Sequence, residues 1–381
     1  MSGRHKKLVV ALVLLALAIV GGWWLWTRPP FIQIPPRHYP PNNAYEAYTA
    51  IAQAMEQNLR SNRRDYVRLI EVERTLSEAP DRLPPADKAF YLRTMRPYLE
   101  AYSQYLNLPS VAKYDYGIRA VFSELAAFHR IARAEELLIR EALQQGRAYE
   151  AVQRAARLMR FSEQIRNEGT LTHYAVGSFI ITDAALEPLR EHFPRIQDPR
   201  ALEAIVALAR TYEEHRTPLA EAYQHHYYVG LSFYRDLATR KLKARHVREL
   251  ARVKQLGTPS LEAWLVLAGV GIPFVLRPSL EEYERYHAQL RAELSKPLEQ
   301  RQPIFFTAKR YLNQLLSFSD SAVFIREPIE LAYVRLLGCA AAVRLHQLRT
   351  GKYPATLEAL NLGGMAIDPF TGKSFVYRTQ T

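Results

Sequence analysis

Residues Leu8 to Trp26 form an unbroken apolar run of 19, preceded by Arg4, His5, Lys6 and Lys7 and closed by Trp23, Trp24 and Trp26. A helix rises about 1.5 Å per residue, so about 20 apolar residues cross a bilayer core of roughly 30 Å, and tryptophan suits the headgroup level. The run reads as a transmembrane helix over 8–26 behind a cytoplasmic tail of residues 1–7. Basic residues stay on the cytoplasmic side, and only Arg28 lies close on the other flank. The expectation is a single-pass signal-anchor protein of the inner (cytoplasmic) membrane with an extracytoplasmic body. The competing reading is a signal peptide cleaved after Ala16-Leu17-Ala18, but Ile19, Val20, Leu25 and three tryptophans carry the apolar stretch past that site.

Beyond the anchor, Arg28-Pro29-Pro30, Pro35-Pro36 and Pro40-Pro41 make 27–43 a linker that cannot propagate a helix. Such a segment favours extended polyproline geometry and acts as a semi-rigid spacer. From 44 to 330 the pattern is helical. Phe128, Ile131, Leu138 and Ala142 follow 3–4 spacing with Glu135 as the one interruption. Val152, Ala155 and Met159 continue it beyond Gly146, and Leu202, Ile205, Ala209 and Tyr212 repeat it later. Asp198-Pro199 is a helix start, and Ser279-Leu280-Glu281-Glu282 has the form of a capping box. The Gly146 turn has one match to tetratricopeptide spacing, without a recurring period, so the body reads as an irregular, repeat-like array of helical hairpins. The apolar stretch Ala263 to Leu276, broken by Gly269, Gly271 and Pro273, is too short to span a membrane and reads as a buried helix.

The fold class expected is therefore all-α, with one N-terminal transmembrane helix and a small C-terminal module over 331–381. There, a helix from Leu331 to Arg349 precedes Gly351-Lys352-Tyr353-Pro354, and Asp368-Pro369-Phe370-Thr371-Gly372 is turn chemistry ahead of a short alternating segment. This predicts a helix carrying a β-hairpin, with Tyr353, Pro354, Leu357, Phe370, Phe375 and Tyr377 clustered on it.

Gly351, Tyr353, Pro354, Leu357, Leu360, Asp368, Pro369, Phe370, Gly372 and Tyr377 give the tail a resemblance to the C-terminal half of type II secretion major pseudopilins. That family's cleavage motif is absent, and Asp368 is the only carboxylate after Glu358, too few for its calcium site. Leu99-Glu100-Ala101, Lys113-Tyr114-Asp115-Tyr116, the helix pair about Gly146, Gly169-Thr170-Leu171 and the Asp-Pro-Phe-x-Gly-Lys tail resemble uncharacterised membrane-anchored helical proteins of planctomycete-type bacteria. That resemblance implies an architecture and no catalytic residue.

The net charge is +13, falling to +10 without Arg4, Lys6 and Lys7, and arginine outnumbers lysine 40 to 11. The implied partners are anionic lipid, a cell-wall polymer or an acidic protein surface in an envelope complex, and not nucleic acid. Hydrophobic content of 48% excludes a disordered body. The lone Cys339 has no partner for an internal disulfide and reads as a small buried hydrophobe. Chemistry is sparse. His225-His226, His215, Glu213 and Glu214 lack a metal-ligand pattern, and Gly177-Ser178 and Gly230-Leu231-Ser232 each miss a glycine of the hydrolase elbow, so neither metal nor cofactor is expected. Tyr98, Tyr102 and Tyr105 share a helical face and, with Tyr114, Asp115 and Tyr116, make the candidate interaction surface. The function expected is a membrane-tethered scaffold or adaptor without catalysis. The alternatives are an accessory of a type II secretion or pilus-like machine and an envelope glycan hydrolase.

Overall fold

A computed structural model describes residues 13–18, 20–21, 30–78, 82–117, 122–253, 261–268, 272–305, 307–316 and 323–378. The chain is mostly helical. In order come α1 (Ala44–Ser61), α2 (Arg63–Glu78), α3 (Pro85–Ser103), α4 (Ser123–Gln144), α5 (Ala148–Arg166) and α6 (Leu171–Phe179). A π-helical turn, Ile180–Leu186, leads into α7 (Glu187–His192) and then α8 (Pro199–His215), α9 (Leu219–Ala238) and α10 (Ala244–Val253). The last are α11 (Leu261–Ala268), α12 (Ile272–Leu294), α13 (Tyr311–Leu316) and α14 (Arg326–Thr350).

Apolar spacing accounts for the first hairpins. Phe128, Ile131 and Ala142 are buried on α4, and Val152, Ala155 and Met159 on α5. Gly146 turns the chain between them at φ +73°, which glycine adopts without steric penalty, and Arg147 N donates to Ala142 O at 2.8 Å to close the helix end. Asp198 caps α8 by accepting from Arg200 N at 3.0 Å, with Pro199 first in the helix. Ser279 starts nothing, because α12 already runs from Ile272 through Pro278, and the Ser279 hydroxyl is buried without a partner among the described residues.

Helices α3, α4, α5, α8 and α14 pack in that order, each on the next. The stretch from Leu171 to His192 lies against α4 and α5, and its π-helical turn also touches α14. One large core runs through α1 to α8 and α14. A second gathers Phe233, Tyr234, Val247, Ala263, Leu276 and Leu312 from α9 to α13. Tyr174, Tyr223 and Leu290 belong to a smaller cluster that joins α6, α9 and α12.

Three expectations are corrected. Among the described residues no helix is long and apolar enough to cross a membrane. Of the run 8–26, residues 13–18 and 20–21 are helical and the remainder lies outside the described residues. The transmembrane signal-anchor and the single-pass inner-membrane placement are corrected on that finding.

The C-terminal β-hairpin is the second. The described residues contain no strand, only an isolated antiparallel bridge between Ile367 and Ser374. Asp368 N donates to Lys373 O and Phe375 N to Ala366 O, each at 2.8 Å, but Gly363–Ala366 is a 3-10 turn and offers no extended partner to continue the ladder. Nor does the tail stand apart at 331, since α14 begins at Arg326 and its Leu331, Val334, Leu337 and Ala341 lie in the large core.

The third is the spacer. Residues 30–40 have no regular secondary structure, yet Ile32 and Ile34 pack on the second core and Arg37 donates to Glu168 O at 3.1 Å and to Ala112 O. The segment is strapped onto the body.

Candidate interaction surface

Two fully buried charged groups pair with each other. Arg166 on α5 and Glu330 on α14 are both fully buried and meet in a two-pronged pair, Nη1 to Oε1 at 2.7 Å and Nη2 to Oε2 at 2.5 Å. Ser178 on α6 donates to Glu330 Oε2 at 2.6 Å, and the Tyr212 hydroxyl of α8 donates to Oε1. Burial alone raises a carboxyl pKa, but the Arg166 charge and these hydrogen bonds outweigh it and hold Glu330 below its ordinary value. Glu163 is shifted upward by burial, with Arg166 opposing, and its two oxygens accept from Arg166 Nη1 at 3.1 Å and Thr217 N at 2.7 Å. This network pins α5, α6, α8 and α14, and every carboxylate oxygen in it already has a donor.

A second polar centre lies beneath the strap. Thr170 N donates to His173 Nδ1 at 3.2 Å, so the proton of the neutral ring sits on Nε2, which faces the Tyr45 hydroxyl at 2.8 Å. Tyr45 in turn donates to Glu124 Oε1 at 3.0 Å. Burial, helped by the Arg37 charge, lowers His173 to about 3 and keeps it neutral. Arg37 stacks on the Tyr114 ring at 4.1 Å, and its Nε and Nη1 are buried without partners among the described residues. The groups face each other and no described cavity reaches them.

The surface is different. Three grooves follow the helix row: about 690 Å³ between α3 and the α4–α5 hairpin, about 720 Å³ between α5 and α8, and about 570 Å³ between α8 and α14. The first and second share Ser103 and Arg157, and the second and third share Ala207 and Thr211, so they form one continuous track. Its middle has an apolar floor that includes Leu106, Val152, Ala156, Met159, Ala204 and Leu208. Arg93, Arg96, Arg157, Arg160 and Arg210 line it, all exposed and none ion-paired with a described residue. The carboxylates at hand are mostly engaged: Glu135 accepts from the Tyr102 hydroxyl at 2.8 Å and from Arg154 at 3.1 Å, Glu141 pairs with Lys88 at 3.1 Å, and Glu203 pairs with Arg349. Cation donors over a partly apolar trough suit an acidic, amphipathic partner.

The tyrosine face expected as an interaction surface is turned inward. Tyr102 is fully buried, while Tyr98 and Tyr105 are half-buried against the large core, Tyr98 accepting from Asn58 Nδ2 at 3.0 Å. Tyr114 is buried and donates to Glu168 O at 3.1 Å; Tyr116 is half-buried with its hydroxyl 3.1 Å from His225 Nδ1. Asp115 is exposed and forms no hydrogen bond with a described residue.

In the tail, Asp368 shapes the turn by accepting from Phe370 N at 3.0 Å and Thr371 Oγ1 at 2.9 Å. Gly372 takes φ +68° there. Pro354 and Pro369 are buried and Tyr377 is half-buried, but Tyr353 and Phe370 are 50% and 51% exposed and do not join the expected cluster. Among the described residues no group of His, Cys, Asp and Glu side chains could hold a metal ion. The groove arginines leave a signal in the sequence. Arg154, Arg157 and Arg160 recur every third residue, and Arg157 has Gln153 and Phe161 four positions away, leaving it no helical ion-pair partner. Comparison with known proteins finds no matching family model, no matching curated protein and no matching solved structure.

Proposed function

We propose that the protein is a non-catalytic adaptor whose helical row binds an acidic partner protein along the arginine-lined track. The observation that carries this reading is the contrast in pairing: the buried arginines are matched to carboxylates, whereas Arg93, Arg96, Arg157, Arg160 and Arg210 are left open to solvent beside an apolar trough. Unpaired guanidinium groups recognise carboxylates by planar, two-pronged hydrogen bonds, and the trough supplies the apolar contact that distinguishes a docked helix from loose polyanion attraction. The non-catalytic reading is supported by the engagement of His173 and Glu124 with the Tyr45 hydroxyl and of Glu330 with Arg166.

The test is fluorescence anisotropy with a labelled amphipathic peptide of about 18 residues, leucine on one face and glutamate on the other. Binding to the full chain should weaken between low salt and about 0.15 M, where the screening length falls to roughly 8 Å. Arg157→Glu with Arg160→Glu should weaken it about tenfold or more. Equal affinity for a peptide with lysine in place of glutamate would overturn the proposal.

A further inference from the structure

The α9–α13 half of the body carries its charge in another form. Between Arg240 and Arg252 lie six basic residues, Arg240, Lys241, Lys243, Arg245, Arg248 and Arg252, against the single acid Glu249. All six are exposed and none forms an ion pair with a described residue. The fold of α10 explains their exposure. Val247 is fully buried and Leu250 and Ala251 pack on the second core, so the helix turns Arg245, Arg248 and Arg252 outward at spacings of three and four. The neighbouring helix α11, which packs on α10, buries Ala263. On α11, Leu261 and Trp264 share a face three residues apart and are 75% and 60% exposed.

We propose that the α10–α11 pair is a docking surface for an anionic lipid bilayer, which it meets from one side. A cluster of four to eight Lys and Arg on an amphipathic helix is the charge density that anionic headgroups attract, at roughly fivefold in affinity per basic residue near the surface. Trp264 has the amphipathic ring that settles at headgroup depth, and Leu261 beside it adds apolar burial. A lipid surface is favoured over an acidic protein because no groove of the arginine track includes a residue of α10 or α11, so Leu261 and Trp264 stand outside any described trough. The contact is peripheral and needs no helix that crosses the membrane. It is independent of the adaptor reading, since it uses different helices and a different partner.

The test places an environment-sensitive NBD dye at position 264, by Trp264→Cys in a Cys339→Ala background of the full chain. Because the dye reports only its own surroundings, insertion of any other segment leaves the signal unmoved. Vesicles of phosphatidylcholine with about 30% phosphatidylglycerol should raise and blue-shift the emission, and pure phosphatidylcholine should not. Arg248→Glu with Arg252→Glu should weaken the response at least about 25-fold, from the fivefold per residue above. Lys241→Glu with Lys243→Glu, at sites outside any helix, should act in the same direction, and circular dichroism should show both variants folded. No response to anionic vesicles, an equal response to neutral ones, or insensitivity to both charge reversals in folded protein would overturn the proposal. A matching response to soluble polyglutamate would also overturn it and would point to an acidic protein instead.

Discussion

Arginine does two different jobs in the interior and on the surface of this molecule. In the large core Arg166, Arg130 and Arg140 are inside, each hydrogen-bonded to carboxylates from other helices: Arg166 to Glu330, Arg130 to Glu56 and Glu73, Arg140 to Glu191. On the groove track Arg93, Arg96, Arg157, Arg160 and Arg210, and on α10 Arg245, Arg248 and Arg252, are exposed and form no ion pair with a described residue. A buried, hydrogen-bonded pair fixes which helix faces fit together, and removing one partner leaves an uncompensated charge in a dry interior. An exposed arginine contributes little to the fold and stays available to a partner. Net charge alone could not make this distinction, because both kinds count equally toward +13.

The sharpest way to break the comparison is Glu330→Ala. It should cost about 3–5 kcal/mol in urea unfolding, because Arg166 stays buried without its carboxylate. A loss under about 1 kcal/mol would mean that the network is not what holds α5, α6, α8 and α14 together. In the tail, Leu357 is 5% exposed and Phe370 is 51% exposed. Leu357→Ala should therefore cost about 2–3 kcal/mol and Phe370→Ala under about 0.5 kcal/mol, and the reverse order would restore the expected aromatic cluster. Gly177→Ala probes how tightly the Arg166 site is filled, since a Cβ there would lie 2.5 Å from Arg166 Nε and 2.8 Å from Ser162 Oγ. Overpacking of this kind should cost about 1–3 kcal/mol, and a neutral result would show room for the network to shift.

The smallest effect is one of pH. Burial lowers His129 to about 4, with Arg133 and Arg130 adding to the shift, and lowers His173, His225 and His287 to about 3, 4 and 3. Each is neutral in the folded chain and takes up a proton on unfolding below its ordinary value of about 6.5, so stability falls as pH drops from there toward about 4. His129 stacks on Phe179 with ring centroids 4.3 Å apart. His129→Phe should keep that contact and reduce the slope of stability against pH by up to one proton, read from urea midpoints at about pH 7 and pH 5. An unchanged slope would place the acid sensitivity elsewhere.

Helices were legible where one residue's environment decides the outcome. The 3–4 spacing of Leu202, Ile205, Ala209 and Tyr212 marks a face that is buried on α8, and Asp198-Pro199 and Gly146 mark helix ends by local hydrogen bonding and φ. Even the break in the α4 pattern, Glu135, has a local cause: it is 3% exposed and accepts from Tyr102 and Arg154. What sequence pattern could not supply was the third dimension. The Tyr98, Tyr102 and Tyr105 spacing identifies a face but not which way it points, and a capping signal at Ser279 is silent when upstream Val275 and Leu276 find a core and extend the helix. The tail's turn residues form their turn, yet a hairpin also needs an extended partner, and a 3-10 turn occupies that place. The Arg166 to Glu330 pair joins residues 164 positions apart, beyond any local pattern.

The most direct test of two separate uses of exposed arginine is a crossed measurement on two charge-reversed proteins, Arg157→Glu with Arg160→Glu and Arg248→Glu with Arg252→Glu. Each would be assayed against the acidic amphipathic peptide and, through the dye at position 264, against anionic vesicles. The first variant should lose peptide binding about tenfold and keep the vesicle response; the second should keep peptide affinity within about twofold and lose the vesicle response. Peptide affinity unchanged by the first variant, or lowered equally by both, would contradict the account, because binding would then follow net charge rather than the arginine-lined track.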